Sequence, residues 1–85
     1  MQYIAVFSVR NHTLQFNMTM NRRGFRCDVI STPKRISSVC GVSARFSDSA
    51  LNYAKALAKT YSSFIGIYAL GNEFVSPNGQ LFRKI

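Results

Sequence analysis

The feature that most limits what this chain can fold into is its opening run. Residues 2–9, Gln-Tyr-Ile-Ala-Val-Phe-Ser-Val, are apolar, β-branched and aromatic, without a charge among them. Such a run reads as a strand, and a strand with no polar face is buried on both sides and therefore central in its sheet. Everything else must be arranged around it within 85 residues. A chain of this size removes only about 60–65% of its unfolded surface from water, enough for one modest core and not for a separate cofactor domain. Residues 1–85 are accordingly expected to form a single domain. With 47% hydrophobic and 16% charged residues, the composition is that of a folded chain rather than a disordered one.

Ser8 or Asn11 is placed to cap a helix running to about Arg23, with Leu14, Phe16, Met18 and Met20 as its apolar side. Gly24 stands where a helix C-terminus favours a left-handed residue. Residues 25–31 then alternate as a half-buried strand, with Phe25, Cys27 and Val29 on one face and Arg26 and Asp28 on the other. A non-periodic loop over residues 31–41 follows. Val42, Ala44 and Phe46 next alternate with Ser43 and Arg45 in a third strand. Ser47 and Asp48 open a second helix that reaches about Tyr61, with Ala50, Ala54, Leu57 and Tyr61 as its stripe. Residues 64–70 form a fourth strand. Beyond Gly71 and Asn72, residues 73–76 and 80–82 flank the turn Pro77-Asn78-Gly79 as a small hairpin. The order β-α-β-β-α-β predicts a ferredoxin-like α+β sandwich: one antiparallel sheet in the order 4-1-3-2 and two helices on one face, with a C-terminal hairpin added.

That topology decides where the loop over residues 31–41 lies. It connects strands 2 and 3 at the end of the sheet where strand 1 finishes and the first helix begins. Cys40 is thereby expected near Ser8, Asn11, His12 and the free N–H groups of that helix. A thiol becomes a good nucleophile or carrier when helix N-termini, cations or backbone N–H groups stabilise its thiolate. The candidates here are His12 and the helix terminus, with Lys34 and Arg35 on the loop itself. Pro33 suits the first position of a short turn capped by Thr32. Ser37 and Ser38 offer hydroxyls, and Gly41 leaves the chain beside Cys40 uncrowded. The bland reading of a lone cysteine at a strand start is a small buried apolar residue. Cys27 receives that reading, because it falls between Phe25 and Val29 on an inward face, and no bridge to Cys40 is expected.

Eleven Lys and Arg against three acids give a net charge of +8, which invites anionic partners, nucleic acid among them. The charges are spread, however, and only Arg22, Arg23 and Arg26 cluster, with Lys34 and Arg35 as a smaller group. No segment carries the basic-aromatic signature with which RNA-recognition sheets stack bases. With Asp28, Asp48 and Glu73 the only acids, a paired-carboxylate hydrolase is excluded. One His and two widely spaced Cys make no zinc set, and neither GxGxxG nor a P-loop occurs, so no metal and no cofactor is expected. No run approaches the roughly 18 apolar residues of a membrane span. The opening residues lack the basic lead of a signal peptide, so a cytoplasmic location with reduced thiols is expected.

Residues 32–46, Thr-Pro-Lys-Arg-Ile-Ser-Ser-Val-Cys-Gly-Val-Ser-Ala-Arg-Phe, resemble the signature of the Putative Se/S carrier protein-like family, small bacterial domains with a TPR-x-[IL]-SS-x-CG-type segment leading into a strand. The stretch from Tyr3 to His12 and the strand ending Gly66-Ile67-Tyr68 are similar too. The likeness spans about residues 2–70 and leaves out residues 71–85. Lys34-Arg35 replaces the more usual basic-acidic pair and makes this loop more cationic. The resemblance implies a carrier rather than an enzyme. Cys40 would hold a sulfane or selenide adduct between a donor and an acceptor protein, with Lys34, Arg35, Ser37 and Ser38 around the anion and His12 exchanging protons. Two readings stand beside it. One is a small basic module that binds RNA or an acidic protein without covalent chemistry. The other is a redox-sensing thiol.

Overall fold

The structure, a computed structural model, describes residues 2–33, 36, 40–70 and 82–84. Strand β1 (Gln2–Phe7) leads into helix α1 (Arg10–Arg22), β2 (Cys27–Ser31) and β3 (Val42–Ser47). A single 3₁₀ turn (Asp48–Ala50) enters α2 (Leu51–Ala58), followed by β4 (Phe64–Leu70) and β5 (Phe82–Lys84). The sheet order is β2-β3-β1-β4-β5, and every neighbouring pair is antiparallel. The expected order 4-1-3-2 is therefore present, with β5 added beside β4. Within the expected terminal hairpin, residues 73–81 lie outside the described residues. Among the described residues no helix is long and apolar enough to cross a membrane.

The central place of β1 follows from its lack of a polar face. Ala5 and Phe7 point into the helix-side core, where Phe16 and Met20 of α1 meet Ala54 and Ala58 of α2. Ile4 and Val6 point the other way and are equally buried, under Ile36 of the β2–β3 connection. Ile30, Ile65 and Tyr68 pack around the same cluster, so on this face a loop residue and flanking strand side chains take the place of the helices. Phe7 is the hub of the helix-side core, with ring centroids 5.2 Å from Phe16, 5.4 Å from Tyr61 and 5.7 Å from Phe64.

Three local expectations are corrected. Neither Ser8 nor Asn11 caps α1: the chain enters from extended Val9 with no side-chain cap. The Ser8 N–H instead donates to Ser63 O at 2.9 Å, which ties the residue to the turn before β4. The apolar side of α1 is Thr13, Phe16 and Met20, whereas Leu14 and Met18 are 39% and 52% exposed. A spacing of two residues rotates around a helix, and only spacings of three and four stay on one face. Finally, strand 2 begins at Cys27, and Val29 is 37% exposed because β2 is an edge strand. At the far end of α1 the expectation for Gly24 holds. Its φ is +89°, and Gly24 N–H to Asn21 O with Phe25 N–H to Met20 O makes the paired bonds of a Schellman end.

Candidate functional site

β1 delivers Phe7 to one end of the sheet, and β3 starts beside it at Val42. Cys40, two residues before β3, is set down between them. Its thiol donates to Phe7 O at 3.1 Å, and Val42 O lies at 3.5 Å as a second acceptor. Thr13 Oγ1, in the first turn of α1, is 4.0 Å from the sulfur, at the outer limit of a sulfur hydrogen bond. The loop end, the end of the central strand and the opening of α1 thus meet at one sulfur. The residue is half-buried, in contrast to fully buried Cys27.

The base of the loop is held by short bonds. Thr32 N–H donates to Gly41 O at 3.0 Å, and the hydroxyls of Thr32 and Ser43 pair at 2.5 Å. That second bond corrects the expected role of Thr32, whose hydroxyl reaches the next strand rather than capping the turn at Pro33. It also accounts for the full burial of Ser43, which alternates with the apolar residues of its strand. Pro33 O accepts the Ile36 N–H at 2.9 Å, which aims Ile36 back onto the sheet. Gly41 is exposed at φ +78°, with nothing within 4 Å of where a Cβ would stand, so glycine is required there by backbone conformation and not by crowding. Lys34, Arg35, Ser37 and Ser38 lie outside the described residues.

A family model, Putative Se/S carrier protein-like, matches residues 2–69, which takes in β1, the cysteine loop and nearly all of β4. The chain belongs to this family. No curated protein and no solved structure matches it. The matched span takes in the four-stranded sheet and its two helices and stops short of β5.

In this family member His12 sits on the other flank of the end of β1. Its Nδ1 is 2.6 Å from Ser63 Oγ, and its ring lies 5.2 Å from that of Tyr61. Ser63 and Tyr61 belong to the turn between α2 and β4, so His12 ties the start of α1 to the start of β4. Asn11, expected near the loop, is exposed. Two residues around the site were not anticipated. Thr13 is visible in retrospect from its spacing of three to Phe16, which places it on the buried face. Ser63 carries no local signal, since its partner His12 is fifty-one residues away.

The two cysteines are chemically distinct. Both are unbridged. Cys27 opposes Phe46 in the β2–β3 register, while Cys40 precedes Val42 at the opposite end of that pairing. Burial, and after it the neighbouring carboxylate of Asp28, pushes the Cys27 thiol up to about 12. Cys27 is thus an inert core residue. Cys40 is the thiol at a polar, partly open corner.

Proposed function

We propose that this chain carries sulfur or selenium on Cys40 between two other proteins. The observation that supports this most directly is the placement of the Cys40 sulfur: half-buried, held at one end by a strand carbonyl, and followed at once by exposed Gly41. A purely packed cysteine would resemble Cys27. A carrier needs a sulfur that is fixed on one side and reachable on the other.

The step is an exchange without net oxidation. The Cys40 thiolate attacks the terminal sulfur of a donor persulfide, R–S–SH. A new bond forms to Cys40 Sγ, the donor S–S bond breaks, and the donor leaves as R–S⁻. Cys40 then holds –S–SH, and the same exchange onto an acceptor thiolate discharges it. A donor R–S–SeH delivers selenium in the same way. Loss of the thiol proton turns the Phe7 and Val42 carbonyls from acceptors into repelling neighbours. The charged sulfur therefore swings about its side-chain bond toward the Thr13 hydroxyl, which donates to it. Lys34, Arg35, Ser37 and Ser38 belong to the same loop by sequence and supply charge and hydroxyls to the anion. His12, held by Ser63 across the end of β1, exchanges the proton through solvent. Two unbridged cysteines suit a reducing compartment such as the cytoplasm. Nothing turns over on this protein alone, since each exchange needs a partner.

The test is mass spectrometry after incubation with a cysteine desulfurase and cysteine, and separately with inorganic polysulfide. We expect a gain of one sulfur atom on the peptide containing Cys40, retained in Cys27→Ser and absent in Cys40→Ser. Wild-type protein that gains nothing from either reagent, or a gain that persists in Cys40→Ser, overturns the proposal. A mixed disulfide or sulfenic acid in place of the added sulfur points to a redox thiol.

A further inference from the structure

α1 has two differently built sides. Thr13, Phe16 and Met20 face the sheet, while Leu14 and Met18 stand in solvent one turn apart on the opposite side. Side chains four apart on a helix are neighbours, so the two form one apolar patch. Arg10 stands one turn before Leu14 and Arg22 one turn after Met18, both exposed. The helix contains no acid at all. The result is a straight stripe, Arg-Leu-Met-Arg, with an apolar centre and a cation at each end.

We infer that this stripe is the docking surface for the protein that loads or unloads Cys40, and that the partner meets it with an apolar groove edged by Asp and Glu. The choice of partner rests on the carrier reading; the surface itself does not. Charge complementarity fixes the character of the rim, because two arginines bound the patch and the whole chain carries +8. The same charge opposes a second copy of this chain, which would bring Arg10 and Arg22 against their own counterparts. Nucleic acid suits the stripe less well: its centre has no aromatic ring on which a base can stack, and Arg23, just beyond the helix, lies over the Tyr53 ring at 5.0 Å. The position fits the function. Thr13, beside Leu14 in the chain, reaches the Cys40 sulfur, and Val9 at the entry to the helix is 42% exposed. A partner laid along the stripe from Arg22 to Arg10 therefore ends over the first turn of α1, the turn whose inner side carries Thr13.

The experiment places a photo-activated cross-linking residue at Met18 and, as a control, at exposed Asn52 of α2, and irradiates each in an extract of the native cell. A protein captured at Met18 and not at Asn52 is purified, and its affinity is measured for three forms: wild type, Leu14→Glu/Met18→Glu and Arg10→Glu/Arg22→Glu. All four substituted side chains are exposed, and circular dichroism checks that each variant is folded. We expect affinity to fall about tenfold or more in both stripe variants and to weaken with salt. Capture of nothing, of RNA or of a second copy at Met18 overturns the inference. So does a captured protein that binds either stripe variant as tightly as wild type. Loading by inorganic polysulfide separates the two readings. Stripe variants that load normally but do not dock leave the carrier chemistry standing. A wild-type chain that docks but never loads sinks the carrier reading and keeps the surface.

Discussion

Replacing Ile36 by alanine tests how the cysteine loop is held. The side chain is 5% exposed and covers Ile4 and Val6, both fully buried on the face that has no helix. The substitution removes three carbons, worth about 2.4 kcal/mol at roughly 0.8 kcal/mol per buried methylene. A sealed cavity would add to this, but a loop can settle and water can enter at its edge, so the added cost is small. The expected loss is about 2.5–3 kcal/mol, in the lower half of the range for such truncations. For a domain of this size that lowers the melting temperature by roughly 10–20 °C.

The assay is urea denaturation followed by circular dichroism, run as a double-mutant cycle with Val6→Ala. Because Ile36 and Val6 share one contact surface, the double variant should lose about 0.5–1.5 kcal/mol less than the sum of the single losses. A single loss below about 1 kcal/mol, or additivity within about 0.3 kcal/mol, refutes the packing of this loop on the sheet. In the same variant, alkylation of Cys40 should lose its dependence on the native fold, since the loop that delivers the sulfur is no longer anchored.

In native protein, iodoacetamide should label Cys40 and leave Cys27 untouched until urea unfolds the chain, and a denatured, unreduced sample should titrate two thiols. The folded state keeps the Cys27 proton up to about 12 against an ordinary 9.0. The contribution of that group to stability is therefore complete below about pH 9 and is lost as pH rises from there toward 12; Cys27→Ala should flatten the alkaline limb of the urea midpoint, and an unchanged limb contradicts this. Gly41→Ala should cost about 1–2 kcal/mol from the left-handed backbone alone, with Gly41→Asn milder, and equal costs would point to a steric cause instead. Asn21→Ala should cost about 1–2 kcal/mol, because the amide donates to Asn17 O and Cys27 O at 2.9 Å and accepts from the Cys27 N–H at 3.3 Å; a loss confined to the first residues of β2 in hydrogen exchange would locate it.

The sheet was legible because β1 has no polar face, because β3 alternates, and because β4 is a continuous apolar run. Sequence pattern failed where a second surface intervened. Ser43 alternates with the apolar residues of β3 and is buried, since the loop folds back over it and Thr32 meets its hydroxyl. Leu14 and Met18 read as core, and the helical period turns them outward. The corner holding Cys40 followed from topology alone, because antiparallel order puts the β2–β3 loop at the end of β1. Its chemical detail did not. The carbonyl of Phe7, the hydroxyl of Thr13 and the bond from His12 to Ser63 depend on distances that no linear spacing encodes.

The position of Ile36 ties stability to chemistry in a way that bears on how such a site persists. A loop free to move would expose Cys40 to any oxidant and would also leave Ile4 and Val6 wet. Here the same segment satisfies both needs: Ile36 closes the back of the sheet, and the return to β3 brings Cys40 against Phe7, whose ring is fixed by Phe16, Tyr61 and Phe64. The sulfur is therefore referenced to the strand end whose ring is the hub of the helix-side core, and the next residue, Gly41, is exposed. This arrangement makes a distinct prediction for Phe7→Leu. The substitution keeps the core apolar but removes the ring contacts that orient the strand end, at a cost of about 1–2 kcal/mol. If the carbonyl of Phe7 positions the sulfur, loading by polysulfide should slow in Phe7→Leu by more than in Phe46→Leu, an equally buried ring of the same core remote from Cys40. Equal slowing in the two variants would mean that global softening, and not the position of Phe7, controls the thiol.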